Sequence, residues 1–266
     1  MKRALALAVG ATMGAHVGPA LSNVDVLRRR LLPGLAGRGS PPHVALTFDD
    51  GPQPDSTPAF LDVLGQLGWR ATFFMLGDMV RRAPVLAAEV AAAGHEIAVH
   101  GDAHRSEALR PPWQVVDDLA RAVDTIASVT GTMPLWFRPP YGTLTTAGLL
   151  AARRHRVRPV LWTTWGRDWR AEATPATVVA DVARHLGPGA TVLLHDSDCT
   201  SATGAWHSAL GALPVLSELF AARGLAVGPL AEHGLSRPGH GPHASDDVTT
   251  LPAGREGAPH VGSRRA

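Results

Sequence analysis

Asp49, Asp50, His100, His104, Arg138, Asp168 and His195 are the residues whose types and spacing bear on chemistry. Asp49 and Asp50 follow the apolar run Val44 to Phe48 and precede Gly51-Pro52, which puts two carboxylates on a sharp turn. His100 and His104 are spaced i, i+4 after another apolar run, so on a helix or tight turn their imidazoles can face one point. With an oxygen from Asp50 they make a three-ligand set that leaves a position open for water. The second carboxylate of the pair can then face that water and act as general base, because a metal lowers the water's pKa toward about 7. His195 ends the run Val192 to Leu194, a suitable place for a general acid serving a leaving amine. Asp168 can orient it or raise its pKa, and Arg138 can pair with Asp49 and fix its direction. Each feature alone has a plainer explanation: a chance histidine pair, a turn of Asp, Gly and Pro, a capped strand end, a simple ion pair. What favours chemistry is that all of them follow predicted strands.

Those strands must position them. Between His43 and about Leu230 short apolar runs alternate with helical patterns. Strands are predicted at 44–48, 71–76, 96–99, 135–137, 160–162, 191–194 and 225–227. Helices are predicted from Ser56 or Thr57 to Leu67 with Gly68 as the stop, and over 84–93, 114–129, 144–154, 174–186 and 208–223. Alternation at this size means parallel βα units, and about seven of them fit an α/β barrel. Such barrels gather their active sites at the carboxyl ends of the strands, so the titratable residues would converge on one rim.

Composition bounds the rest. The 266 residues are 45% hydrophobic, enough for a substantial core. No apolar stretch of about 20 residues interrupts the body, which excludes a polytopic membrane protein. The net charge is +2 and the basic residues are scattered, without a Lys/Arg stripe interleaved with aromatics, which argues against a nucleic-acid partner. The single cysteine, Cys199, excludes internal disulfides and cysteine-based zinc clusters. Residues 1–42 form a signal-like or helical start plus a linker rich in Pro and Gly, 43–231 the expected catalytic domain, and 232–266 a tail with the composition of a disordered segment. Membrane association is expected only through the start, as a signal or anchor. A secreted or cell-envelope location is favoured over a cytoplasmic one.

Five segments in order resemble the motifs of the polysaccharide deacetylase family, the NodB-type carbohydrate esterases. Thr47 to Pro52 reads TFDDGP; His100 to His104 is similar to the family's HxxxH; Arg138-Pro139-Pro140-Tyr141-Gly142, Asp168-Trp169 and Leu193-Leu194-His195-Asp196 are similar to the third, fourth and fifth motifs. The resemblance implies a distorted parallel (β/α) barrel and a divalent metal, usually Zn2+, with Co2+ or Ni2+ as alternatives. It implies Asp50, His100 and His104 as metal ligands, Asp49 as general base, and His195 as general acid tuned by Asp168. Arg138 would orient Asp49, the Tyr141 backbone N–H would help stabilise an oxyanion, and Trp169 and Leu193 would line an acetyl pocket. The implied substrate is an N-acetylglucosamine-containing polysaccharide or oligosaccharide of the chitin or peptidoglycan type. One departure stands out: Gly101 replaces the Ser or Thr usual after the first histidine, which implies loss of a hydrogen bond that steadies the metal loop. Asp198 to Ser201 receive no role, although Cys199 near His195 raises a thiol nucleophile as an alternative. Two other functions compete: a metal-dependent amidase acting on a non-sugar amide, and a carbohydrate-binding protein that has lost catalysis. The presence of Asp49 and His195 argues against the last.

Overall fold

A computed structural model describes residues 34–235 continuously, together with 14, 16–24, 28 and 30–32. Residues 1–13 of the signal-like start and 236–266 of the tail lie outside the described residues. The elements run β1 (His43–Asp49), α1 (Thr57–Leu67), β2 (Thr72–Met75), α2 (Gly77–Arg82), α3 (Pro84–Ala92), β3 (Glu96–Val99), α4 (Pro112–Thr130), β4 (Trp136–Phe137) and α5 (Thr146–Arg154). They continue with β5 (Arg158–Pro159), β6 (Thr164–Trp165), α6 (Pro175–His185), β7 (Thr191–His195), α7 (Trp206–Ala222) and β8 (Ala226–Gly228). All described pairings are parallel, in the order β5-β4-β3-β2-β1-β7-β6, with β8 beside the first half of β1. The result is a distorted α/β barrel.

Strand residues alternate between two apolar environments, as a parallel sheet buried on both faces requires. Leu46, Phe48, Phe73, Met75 and Ile97 face outward and pack under Phe60, Leu64, Leu119, Ile126, Leu213 and Phe220 of the helices. Ala45, Phe74, Ala98, Trp136 and Val160 face inward and fill the barrel. Helix α1 stops where predicted, at Gly68 with φ 65°, and α4 stops at Gly131 with φ 66°; both are left-handed positions that suit glycine. Among the described residues no helix is long and apolar enough to cross a membrane.

The structure corrects one predicted element. The strand expected at 160–162 is not one; the ladder ends at Pro159 and resumes at Thr164. Its backbone groups are taken by other partners. Arg138 donates from Nη2 to the Leu161 carbonyl (2.9 Å) and from Nε to that of Val160 (3.4 Å), while the Leu161 N–H donates to the Leu35 carbonyl (2.7 Å). A buried arginine thus occupies the place of a neighbouring strand. Part of the expected linker also packs here, with Ala36 fully buried. At the other end His233, fully buried, bonds through Nε2 to the Gly37 carbonyl, so the packed body continues past Ala231.

Candidate active site

The register of β1 builds the site. Asp49, its last residue, lies opposite Phe74 of β2 and His195 of β7, so a carboxylate and an imidazole stand side by side at the carboxyl end of the sheet. Asp49 is buried, and its Oδ1 accepts from Arg138 Nη1 at 2.6 Å. Arg138 is itself fully buried, lies over the Phe74 ring at 4.0 Å and also donates to Thr47 Oγ1 at 2.9 Å. Burial raises the Asp49 pKa, and the Arg138 and His195 charges oppose that rise. Burial likewise lowers the Arg138 pKa, against the pull of Asp49.

One residue on, the chain turns with Asp50 at φ 81°, a left-handed conformation that aspartate tolerates better than most residues. Both carboxylates face His100, whose Nε2 lies 3.7 Å from Asp49 Oδ2 and 3.4 Å from Asp50 Oδ1. Gly51 follows because Asp196, from the fifth motif, occupies the volume a Cβ would need. Asp196 accepts from Thr57 Oγ1 at 2.5 Å, and its deep burial raises its pKa to about 7.

His100 and His104 reach Asp50 from the loop after β3. His100 Nε2 and His104 Nε2 lie 3.4 Å and 3.5 Å from Asp50 Oδ1. One ligand atom from each of the three residues lies within 4.8 Å of the other two. Asp50 Oδ1 is buried without a hydrogen-bond partner among the described residues. His100 Nδ1–H donates to the Arg138 carbonyl at 2.8 Å, which fixes the tautomer and leaves the Nε2 lone pair for a metal. Burial pulls the His100 pKa down to about 3 even beside Asp50, so the ring is a neutral donor. Ligand atoms around a tetrahedral ion at bonds of about 2.1 Å sit about 3.4 Å apart. The residues therefore fit a divalent ion: a carboxylate oxygen and two imidazole nitrogens at ligand spacing, with an unsatisfied buried oxygen among them.

His195 is clamped twice by Asp168, which accepts from its backbone N–H at 2.7 Å and from its Nδ1–H at 3.0 Å. Burial would lower the His195 pKa, but Asp168, with Asp50 and Asp49 beyond it, raises it to about 10. Nδ1 being engaged, Nε2 is the nitrogen free to exchange a proton. Asp49, His100, His104 and His195 share a cavity of about 260 Å3 with Tyr141, Trp169 and Leu193. Trp169 meets the His195 ring edge-on at 5.6 Å and Tyr141 meets His104 edge-on at 4.4 Å. Every residue expected at the site is thus in it or directly behind it, Asp50, Arg138 and Asp168 forming the buried layer.

Sequence reasoning missed Trp162, Trp165, Thr200 and Ser201, which also line the cavity. Trp162 and Trp165 stack at 5.6 Å and extend the Trp169 wall. They were hidden in a segment read as an ordinary strand and its exit. Thr200 and Ser201 carry no motif, and only the fold of their loop brings them here. The thiol alternative finds no support, because desolvation and the Asp50 charge push Cys199 up to about 12. Gly101 has φ 98°, a conformation that disfavours the usual Ser or Thr. The loop is held by acids: the Asp102 N–H donates to Asp118 Oδ2 at 2.8 Å, and the Asp102 side chain pairs with Arg81 (2.7 Å) and Arg121 (3.2 Å).

Comparisons with known proteins agree with this geometry. Residues 36–160 match the family model described as polysaccharide deacetylase. A chitooligosaccharide deacetylase from a Bradyrhizobium strain is 36% identical, the alignment covering 71% of this chain and 89% of that protein. A peptidoglycan-N-acetylglucosamine deacetylase from Bacillus cereus is 37% identical over 58% of this chain and 72% of its own length. Among solved structures, a family 4 carbohydrate esterase from Streptomyces lividans in complex with acetate superposes with a TM-score of 0.63 at 30% identity, covering 73% of this chain and 93% of that one. On these matches and on the five motifs now seen around one cavity, the chain belongs to the polysaccharide deacetylase family.

Proposed function

We propose that this chain is a divalent-metal-dependent N-deacetylase that removes acetyl groups from N-acetylglucosamine units of a chitin- or peptidoglycan-type glycan and releases acetate. The observation that carries the reading is the meeting of Asp50, His100 and His104 at ligand spacing beside Asp49 and His195 in one cavity. Asp50, His100 and His104 would hold the ion, with Zn2+ favoured and Co2+ or Ni2+ suited to the same donors. Bound there, a divalent ion supplies Lewis acidity, polarising a carbonyl oxygen and easing proton loss from water.

The residues of the chain do the rest. Asp49 is the general base: Arg138 holds its Oδ1 and leaves Oδ2 to take the proton from the attacking water. The tetrahedral oxyanion is met by the backbone N–H of Tyr141 at the cavity wall. His195, its Nδ1–H fixed on Asp168, gives the Nε2 proton to the departing amine; Asp49 then releases its proton to solvent and His195 is reprotonated from solvent. Water thereby adds across the C–N bond to give acetate and a free amino sugar, without a covalent enzyme intermediate. Trp169 and Leu193 receive the acetyl methyl group. We place the catalytic domain at 43–231, with Ala36 and His233 packed onto it, and the protein in the envelope or outside the cell, where such polymers lie and where the charged, then apolar start would send it.

The test is acetate release from chitin oligomers and peptidoglycan fragments. Activity should vanish with a chelator and return with Zn2+. Acetate release from non-sugar amides alone would transfer the site to a different substrate. Sugar binding without turnover would make the protein a binder.

A further inference from the structure

The loop after β7 carries residues that no motif accounts for, and one of them touches the proposed metal ligand. Thr200 Oγ1 donates to Asp50 Oδ2 at 2.6 Å. The other oxygen of that carboxylate, Oδ1, is the one that faces both imidazoles and has no hydrogen-bond partner among the described residues. A carboxylate on one rotatable bond presents either oxygen or both; a donor fixed on one of them aims the other.

The position of Thr200 is built rather than incidental. Gln53, four residues after Asp49 on the first-motif turn, takes the loop in three bonds: Oε1 accepts from Ser197 Oγ at 2.6 Å and from the Asp198 N–H at 3.2 Å, and Nε2 donates to Asp198 Oδ1 at 2.9 Å. Asp198 in turn accepts from the Gly204 N–H at 2.6 Å through Oδ2 and from the Ser201 N–H at 3.0 Å through its carbonyl. The Ala202 N–H is tied to the Trp169 carbonyl at 3.1 Å. The loop is therefore pinned on both sides of Thr200, to the first-motif turn and to the fourth-motif tryptophan.

We infer that Thr200 is a positioning residue for the metal ligand, its hydroxyl holding the Asp50 carboxylate so that Oδ1 points at His100 and His104. The assignment rests on the metal reading above. Partners of this kind, one bond removed from the ion, typically change metal affinity about 10- to 100-fold when removed.

The test uses metal-free full-length protein titrated with Co2+ and followed by visible absorption, for the wild type, Thr200→Val, Thr200→Ser and Asp50→Ala, with thermal melting of the metal-free forms alongside. Thr200→Val should bind Co2+ about 10- to 100-fold more weakly with an altered d–d band and an unchanged melting temperature. Thr200→Ser, which keeps the hydroxyl, should bind close to the wild type, and Asp50→Ala should not bind. Equal affinity of Thr200→Val and wild type overturns the assignment, as does a serine variant as weak as the valine one. A fall in melting temperature with affinity intact makes Thr200 a loop fastener only. If the wild type takes up no Co2+, the metal reading itself fails and the role of Thr200 falls with it.

Discussion

Asp49 and Asp50 are adjacent in sequence and different in duty, and what distinguishes them is the group that holds each, Arg138 on Asp49 and Thr200 on Asp50. Asp49→Asn keeps the shape and removes the base, so it should lower kcat about 10²- to 10⁴-fold while metal content stays at the wild-type level. Asp50→Ala removes a ligand, and metal analysis of the purified variant should find the ion lost. His195→Ala should retain metal and lose most turnover; near-full activity would remove His195 from the role of acid. The pH profile gives an independent check. Asp168 raises the His195 pKa, so the acid stays protonated far into the alkaline range. In Asp168→Asn that pull is gone, the folded-state pKa falls, and the alkaline limb of kcat/KM should move to lower pH. A limb that stays in place would mean that another group sets it.

At the scale of elements, the loop between β3 and α4 decides how the histidines are held. Gly101 sits at φ 98° with a Cβ position 3.1 Å from Asp118 Oδ2, the atom that accepts from the Asp102 N–H. Restoring the customary hydroxyl by Gly101→Ser should therefore destabilise the protein, by about 1–3 kcal/mol for the strained backbone, and weaken metal binding rather than strengthen it. Thermal melting and metal titration read both effects. Farther along the same loop, Glu107 accepts from the N–H and Oγ1 of Thr145 at the start of α5 (2.9 and 2.8 Å). Its burial raises its pKa from 4.5 to about 7. The folded state thus binds a proton that the unfolded state releases between pH 4.5 and 7, so stability falls as pH rises through that window. Glu107→Gln, which accepts the same bonds without ionising, should match the wild type at pH 4 and gain on it up to pH 8. The gain should reach about 3 kcal/mol, measured by denaturant melts at both pH values.

Across the whole molecule, Arg138 joins two tasks. Its guanidinium holds Asp49 in the site and also occupies the carbonyls of Val160 and Leu161, where the barrel's hydrogen-bonded ladder is interrupted. Arg138→Met fills similar space but leaves a buried carboxylate and two carbonyls without their partner. It should cost about 3–5 kcal/mol in unfolding free energy as well as activity. Loss of activity with unchanged stability would confine the residue to orienting Asp49. The aromatic wall is also a product of the whole fold, since Trp162, Trp165 and Trp169 become one surface only because the segment between β5 and β7 bends around the cavity.

The sequence by itself determined the βα alternation, because burial on both faces of a parallel strand demands apolar runs that helical periodicity then separates. It also brought the candidate site residues toward one rim, because most of them end a strand or lie a few residues beyond one, and parallel strands end together. Tertiary structure alone decided the rest. The break at 160–162 came from Arg138, 22 positions from Val160 in sequence, bonding to backbone carbonyls whose demand no side-chain pattern records. The helix Gly77–Arg82 is a short turn without an apolar stripe of its own to announce it. Thr200 reached Asp50 across 150 positions, and Asp118 reached the Asp102 N–H across 16. A hydrogen bond between distant segments depends on the path of both chains in space, and local composition carries no trace of it.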